Sequence, residues 1–177
     1  MTAPRYTAPA VALHWLALPV LMFGFGLGLY MTGLPSGIHK LKLYNWHKWA
    51  GAVFLALAML RLLWRATHRP PPPLPQAAWQ QRSATAVHAA MYGLFFVVPL
   101  LGWAYSSALG YPLVVFGLLP LPDWVPLDRE LARAIKPWHE RAAWLLALLV
   151  GLHVAAAAQH QWLLRDGLLR RMAPWIR

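Results

Sequence analysis

The chain has 177 residues, 59% hydrophobic and only 12% charged, where an ordinary soluble domain carries about 25% charged residues. Its net charge of +11 sits at the ends of apolar segments and not along one continuous face, which argues against a nucleic-acid surface and for a chain flanking a bilayer. Cysteine is absent, so disulfides, thiol catalysis, Cys-ligated zinc or iron–sulfur clusters and haem attached through Cys-x-x-Cys-His are excluded, and any metal must be held by histidine or by the five carboxylates.

The first apolar stretch runs from about Val11 to Thr32, long enough to span a membrane. Its length, the missing small-residue cleavage site and the single preceding Arg5 make it a span and not a removable signal peptide. The second, about Trp49 to Trp64, is the shortest, and Arg61 and Arg65 at its end are expected to snorkel to the interface. "RPPPPLPQ" (Arg69 to Gln76) reads as a stiff polyproline II connector. A third span covers about Ala86 to Leu109. The loop from Gly110 to Pro137 carries Pro112, Pro120, Pro122 and Pro126 and is expected to form ordered turns with a short helix near Asp128 to Ile135. The fourth span runs from about Trp138 to Trp162.

The expected fold is therefore all-α: a transmembrane four-helix bundle forming a single domain over residues 1–177, with membrane lipid as its surroundings. No internal repeat stands out. Trp15, Trp46, Trp49, Trp64, Trp103, Trp138 and Trp162 fall mostly near span ends, as an aromatic belt does. Four spans put both termini on one side, with Arg5, Arg61, Arg65, Arg69, Arg82, Arg165, Arg170, Arg171 and Arg177. The other side collects Lys40, Lys42, Lys48, Arg129, Arg133, Lys136 and Arg141, so the excess of basic residues makes both termini cytoplasmic.

This topology sorts the histidines by depth. His47 and His139 meet at the outer level, while His14, His88 and His153 compete at the inner one. Between His139 and His153, fourteen residues of helix rise ~21 Å and return to nearly the same face. Ionisable groups inside a membrane are costly and face a partner in the bundle interior. Two facing imidazoles form a bis-His haem site, whereas zinc asks for three or four ligands. Gly24, Gly26, Gly28, Gly51, Gly93 and Gly102 would let a bulky planar ligand approach the backbone. His39 and His68 fall in loops and are expected to be solvated.

"ALHW", "WHKWAG", "KPWHE", "GLHVAAAAQH" and "RDGLLRRMAP" together resemble the bacterial cytochrome b561 family from end to end, and more distantly the cytochrome b subunits of membrane formate dehydrogenases and hydrogenases. The resemblance implies a dihaem b protein of the inner membrane. It implies His14 and His153 as axial ligands of a cytoplasmic-side haem iron and His47 and His139 as those of a periplasmic-side one. His88 is then a residue for a haem propionate, a quinone pocket or structure. Gln159, His160 and Arg165, just past the inner level, are candidates for a ubiquinone head group.

The function expected is a transmembrane electron conduit: an outer donor, two haems and ubiquinone as acceptor. The family resemblance suggests superoxide as donor, and Lys40, Lys42 and Lys48 around His47 would steer such a small anion, with Arg133, Lys136 and Arg141 extending the field near His139. A second reading is the cytochrome subunit of a larger dehydrogenase, with a protein partner as donor. A third is a haem-free transporter or structural membrane protein, disfavoured because the histidines lie toward the two ends and the spans lack midplane acids.

Overall fold

The computed structural model describes residues 5–176, so Arg177, counted above among the cytoplasmic basic residues, lies outside the described residues. Four long helices dominate: α1 (Ala8–Thr32), α2 (Ile38–Thr67), α3 (Ala78–Ala108) and α4 (Arg129–Gln159). All four are long and apolar enough to cross a membrane. They contain 25, 30, 31 and 31 residues, which at ~1.5 Å per residue exceeds the ~30 Å hydrocarbon core. Each therefore projects beyond its apolar segment.

The extensions revise two expectations. α2 begins at Ile38, so His39 is its second residue, exposed, and not part of a loop. The short helix expected near Asp128 to Ile135 is the opening of α4, which continues through Pro137 without a break. Asp128 starts it by accepting hydrogen bonds from the amides of Glu130 (2.8 Å) and Leu131 (3.1 Å), filling the orphan donors of the first turn. Exposed His68 follows α2, stacks on Trp64 at 3.7 Å between ring centroids and hydrogen-bonds Thr67.

The outer loop also holds a small antiparallel hairpin, β1 (Leu113–Val115) with β2 (Leu119–Leu121). Phe116 and Gly117 turn it with φ of 54° and 72°, the second supplied by glycine without a side-chain penalty. The hairpin is tied down: the Trp49 indole donates to the Val114 carbonyl at 2.7 Å, and Lys48 Nζ donates to Pro112 at 3.0 Å. At the opposite end the amide of Tyr6 donates to Arg171 (3.2 Å), the Trp15 indole to Met172 (2.7 Å), and the Arg171 guanidinium to the carbonyl of Pro72 in the proline-rich connector (2.7 Å). Both chain ends and that connector thus share one end of the bundle.

α1 packs chiefly on α2 and α3 chiefly on α4, so the bundle is two helical hairpins laid side by side. Phe54, Ala58, Met91, Phe95 and Leu146 form the buried core between them, with Leu21 packed against it.

Candidate functional site

Seven residues turn a helix by ~700°, within ~20° of two full turns, so positions seven apart stay on nearly one face while moving ~10 Å in depth. Every helix uses this step. α1 carries His14, Leu21 and Gly28; α2 carries His47, Phe54 and Arg61; α3 carries His88, Phe95 and Gly102; α4 carries His139, Leu146 and His153. Stacked in the bundle, these twelve residues make three layers. The outer holds His47, His139, Gly28 and Gly102. The middle holds Leu21, Phe54, Phe95 and Leu146. The inner holds His14, His88, His153 and Arg61.

In the outer layer the His47 and His139 rings lie 6.0 Å apart between centroids. Each is fixed by the neighbouring helix of its own hairpin. His47 Nδ1 is 2.8 Å from the carbonyl of Gly24 on α1, and His139 Nδ1 is 2.9 Å from that of Val98 on α3. A carbonyl only accepts, so both Nδ1 atoms carry the proton and both Nε2 atoms keep a free lone pair. The reason each carbonyl can be reached lies four residues on. A side chain there would tilt back over it, but the residues are Gly28 and Gly102. A Cβ on Gly28 would sit 3.3 Å from His47 Cε1, and one on Gly102 only 3.0 Å from His139 Cε1. Those two glycines make room for imidazoles. At Gly26, Gly51 and Gly93 a Cβ would meet no protein atom within 4 Å.

The inner layer is more crowded. His14 and His153 are 6.2 Å apart, and His88, partly exposed, lies closer to His153 at 5.2 Å. His14 Nδ1 is buried with no hydrogen-bond partner. Arg61 does not simply snorkel: its guanidinium stands over the ring of Tyr92, one helical turn from His88, at 5.5 Å. Arg65, one turn further, is exposed and touches the same ring at 5.8 Å. Between the layers, Phe54 and Phe95 meet edge to face at 5.2 Å, and Leu146 is only 2% exposed, forming an apolar septum.

These residues fit the haem expected from the sequence. A metal–imidazole nitrogen bond is ~2 Å, so two rings on opposite sides of one metal have centroids on the order of 6 Å apart. The His47–His139 and His14–His153 spacings match that value. The donor set in the outer layer is also right, with Nε2 unprotonated and Nδ1 anchored as metal-bound histidines usually are.

The remaining candidates lie beyond the two layers. Lys40 Nζ donates to the Leu34 carbonyl at 2.7 Å, Lys42 is exposed, and half-buried Lys48 lines a cavity of about 310 Å³ with Asn45, Trp49 and Tyr111. Past the inner layer α4 loosens into a π-turn, His160–Leu164, and ends at Arg165 with a left-handed φ of 51°. There His160 Nδ1 pairs with Asp166 Oδ2 at 2.5 Å, Gln159 is exposed, and Arg165 lines a second cavity of about 350 Å³ with Trp162 and Arg170. Partial burial opposes the charge on Asp166, but hydrogen bonds from the Leu168 amide and His160 outweigh it and hold the carboxyl below its usual value. Sequence reasoning missed Arg61, Tyr92 and Asp166 as neighbours of these sites. The seven-residue step from His47 through Phe54 would have found Arg61.

The family model of prokaryotic cytochrome b561 matches residues 5–175. The chain is 32% identical to "Cytochrome b561 homolog 2" of Escherichia coli K12, over 97% of this chain and 92% of that protein. It is 27% identical to the Yersinia pestis protein named "Probable superoxide oxidase CybB", over 96% of each. "Cytochrome b561 homolog 1" of Escherichia coli K12 is 29% identical over 96% of this chain and 97% of its own length. The chain belongs to the prokaryotic cytochrome b561 family, integral inner-membrane electron-transfer proteins that bind b-type haem.

Proposed function

We propose that this protein is a superoxide:quinone oxidoreductase carrying two haem b groups, one held by His47 and His139 and the other by His14 and His153. The single observation that carries the reading is the repeated ring spacing, 6.0 Å in one layer and 6.2 Å in the other, each pair bridging the two helical hairpins. His88 stands too near His153, at 5.2 Å, to share a metal with it in the same way, which favours His14 as the inner ligand. Bound haem iron, alternating between ferric and ferrous, would supply one-electron carriage.

The chain's own residues supply the rest. Gly24 and Val98 hold the outer imidazoles in the ligating tautomer. Lys42 and Lys48 place positive charge at the outer end, which we take as periplasmic, and so draw in a small anion. The septum of Phe54, Phe95 and Leu146 keeps water and protons from following the electron. Two superoxide anions give up one electron each and leave as dioxygen. A ubiquinone at the cytoplasmic end takes both electrons and two protons to become quinol. Arg165 and Gln159 offer donors to its carbonyls, and the proton between His160 Nδ1 and Asp166 Oδ2 stands beside them.

The test is optical. Purified protein mixed with superoxide should develop reduced haem bands, and added ubiquinone should bleach them. Colourless protein even after hemin is supplied, or haem reduced only by a docked dehydrogenase, would overturn the reading.

A further inference from the structure

The two helical hairpins repeat one another in position, although their sequences show no repeat. His14, Leu21 and Gly28 of α1 correspond to His88, Phe95 and Gly102 of α3, and His47 and Phe54 of α2 correspond to His139 and Leu146 of α4. The outer layer obeys the correspondence on both sides: imidazole into a carbonyl, glycine four residues on. The next position down breaks it. Where α4 places His153, α2 places Arg61.

That exchange puts a permanent cation among the four residues of the inner layer and leaves none among the four of the outer one, where neighbouring Lys48 turns to the Pro112 carbonyl. The Arg61 guanidinium is held against the face of Tyr92 at 5.5 Å, with exposed Arg65 over the same ring at 5.8 Å, and Tyr92 lies one turn after His88, so the Arg61 charge is held beside the inner layer. Arginine stays protonated at any working pH. A positive charge in a low-dielectric interior favours the reduced, less positive form of a nearby redox centre over the oxidised form.

Resting on the two-haem reading above, we infer that Arg61 sets the direction of electron flow by holding the inner site at a higher reduction potential than the outer site. Arg61 is a positioning and tuning residue, not a ligand. Tyr92 keeps it there. The asymmetry it creates makes the inward transfer of an electron downhill before any quinone is engaged.

Potentiometric titration of the purified holoprotein, followed optically, tests this. The native protein should show two one-electron components. Arg61→Gln should lower the higher one by at least tenfold in its equilibrium constant, which is 59 mV for one electron. The lower component should stay in place. Arg61→Lys should restore most of the loss, and Tyr92→Leu, which loosens the guanidinium without removing it, should give a smaller shift of the same component. Gly102→Ala, which presses on His139, should move the other component and so assigns the two. If Arg61→Gln does not retain haem, the Tyr92→Leu and Arg61→Lys pair carries the test. Two components that both hold still in these variants overturn the inference while leaving the two-haem reading intact. A native protein with one component or none overturns the two-haem reading itself.

Discussion

The outer and inner histidine layers are built from the same ladder and finish differently. The outer one is symmetric: each hairpin contributes one imidazole, one accepting carbonyl and one glycine, and both rings are anchored by those carbonyls. The inner one is not. It holds three imidazoles and a guanidinium, and the buried His14 Nδ1 has no partner. Equivalent positions in a pseudo-symmetric bundle can thus serve different ends. On the proposed two-haem reading, the outer layer is a clamp anchored by two carbonyls, and the inner one a charged site whose ligand choice rests on spacing.

The largest expected effects come from breaking the pairs. His139→Ala should halve the haem content measured by pyridine haemochrome, since the outer layer has no third histidine to replace it. Because each pair bridges the two hairpins and a bound group stabilises only the folded state, the same variant should lower the melting temperature more than a surface change would. The inner layer gives the sharper comparison. His14→Ala should lose the second haem, whereas His88→Ala should retain both. The reverse result would exchange the roles of those two residues and would mean the crowded 5.2 Å pair rearranges on binding.

A smaller effect should separate the two glycines. Gly102→Ala places a Cβ 3.0 Å from a ring that cannot retreat without losing its bond to Val98, and overpacking of that kind costs ~1–3 kcal/mol. Gly28→Ala meets His47 at 3.3 Å, so less must shift; the helix preference of alanine over glycine, ~1 kcal/mol, acts at both positions and offsets more of the smaller strain. Thermal unfolding should rank Gly102→Ala well below Gly28→Ala. A Gly102→Ala protein as stable as the native one would remove the argument that the glycines exist to admit imidazoles.

Much of this was legible in the sequence because hydropathy and histidine depth are properties of single helices. The four spans, the outer pair and the fourteen-residue rise along α4 follow from counting. What stayed hidden were relations between helices. Nothing local marks Gly28 as the residue under His47, or turns Arg61 from the interface onto the ring of Tyr92. The repeat escaped notice because it lies in positions and not in residue types: glycine, histidine and arginine share no propensity. The hairpin at Leu113–Val115 was obscured by prolines that suggested turns alone, although Pro120 sits in β2 without closing the two-stranded pair.

The smallest expected effect lies past the inner layer, where an ion pair replaces the clamp. Asp166 is held below its usual carboxylate value by the Leu168 amide and His160 against the opposing influence of burial. A carboxyl lowered on folding stabilises the native state above its unfolded value and loses that contribution as pH falls through the folded one. The window is therefore acidic, below about pH 4, and stability between pH 5 and 7 should not depend on this group. Asp166→Asn should flatten the acid limb of the melting curve by less than ~1 kcal/mol, as partly exposed pairs contribute little. A variant that left both the stability at pH 7 and the acid limb unchanged would mean that Asp166 works as a neutral hydrogen-bonding cap for the turn at Leu168, a role asparagine keeps, and not as the charged partner of His160.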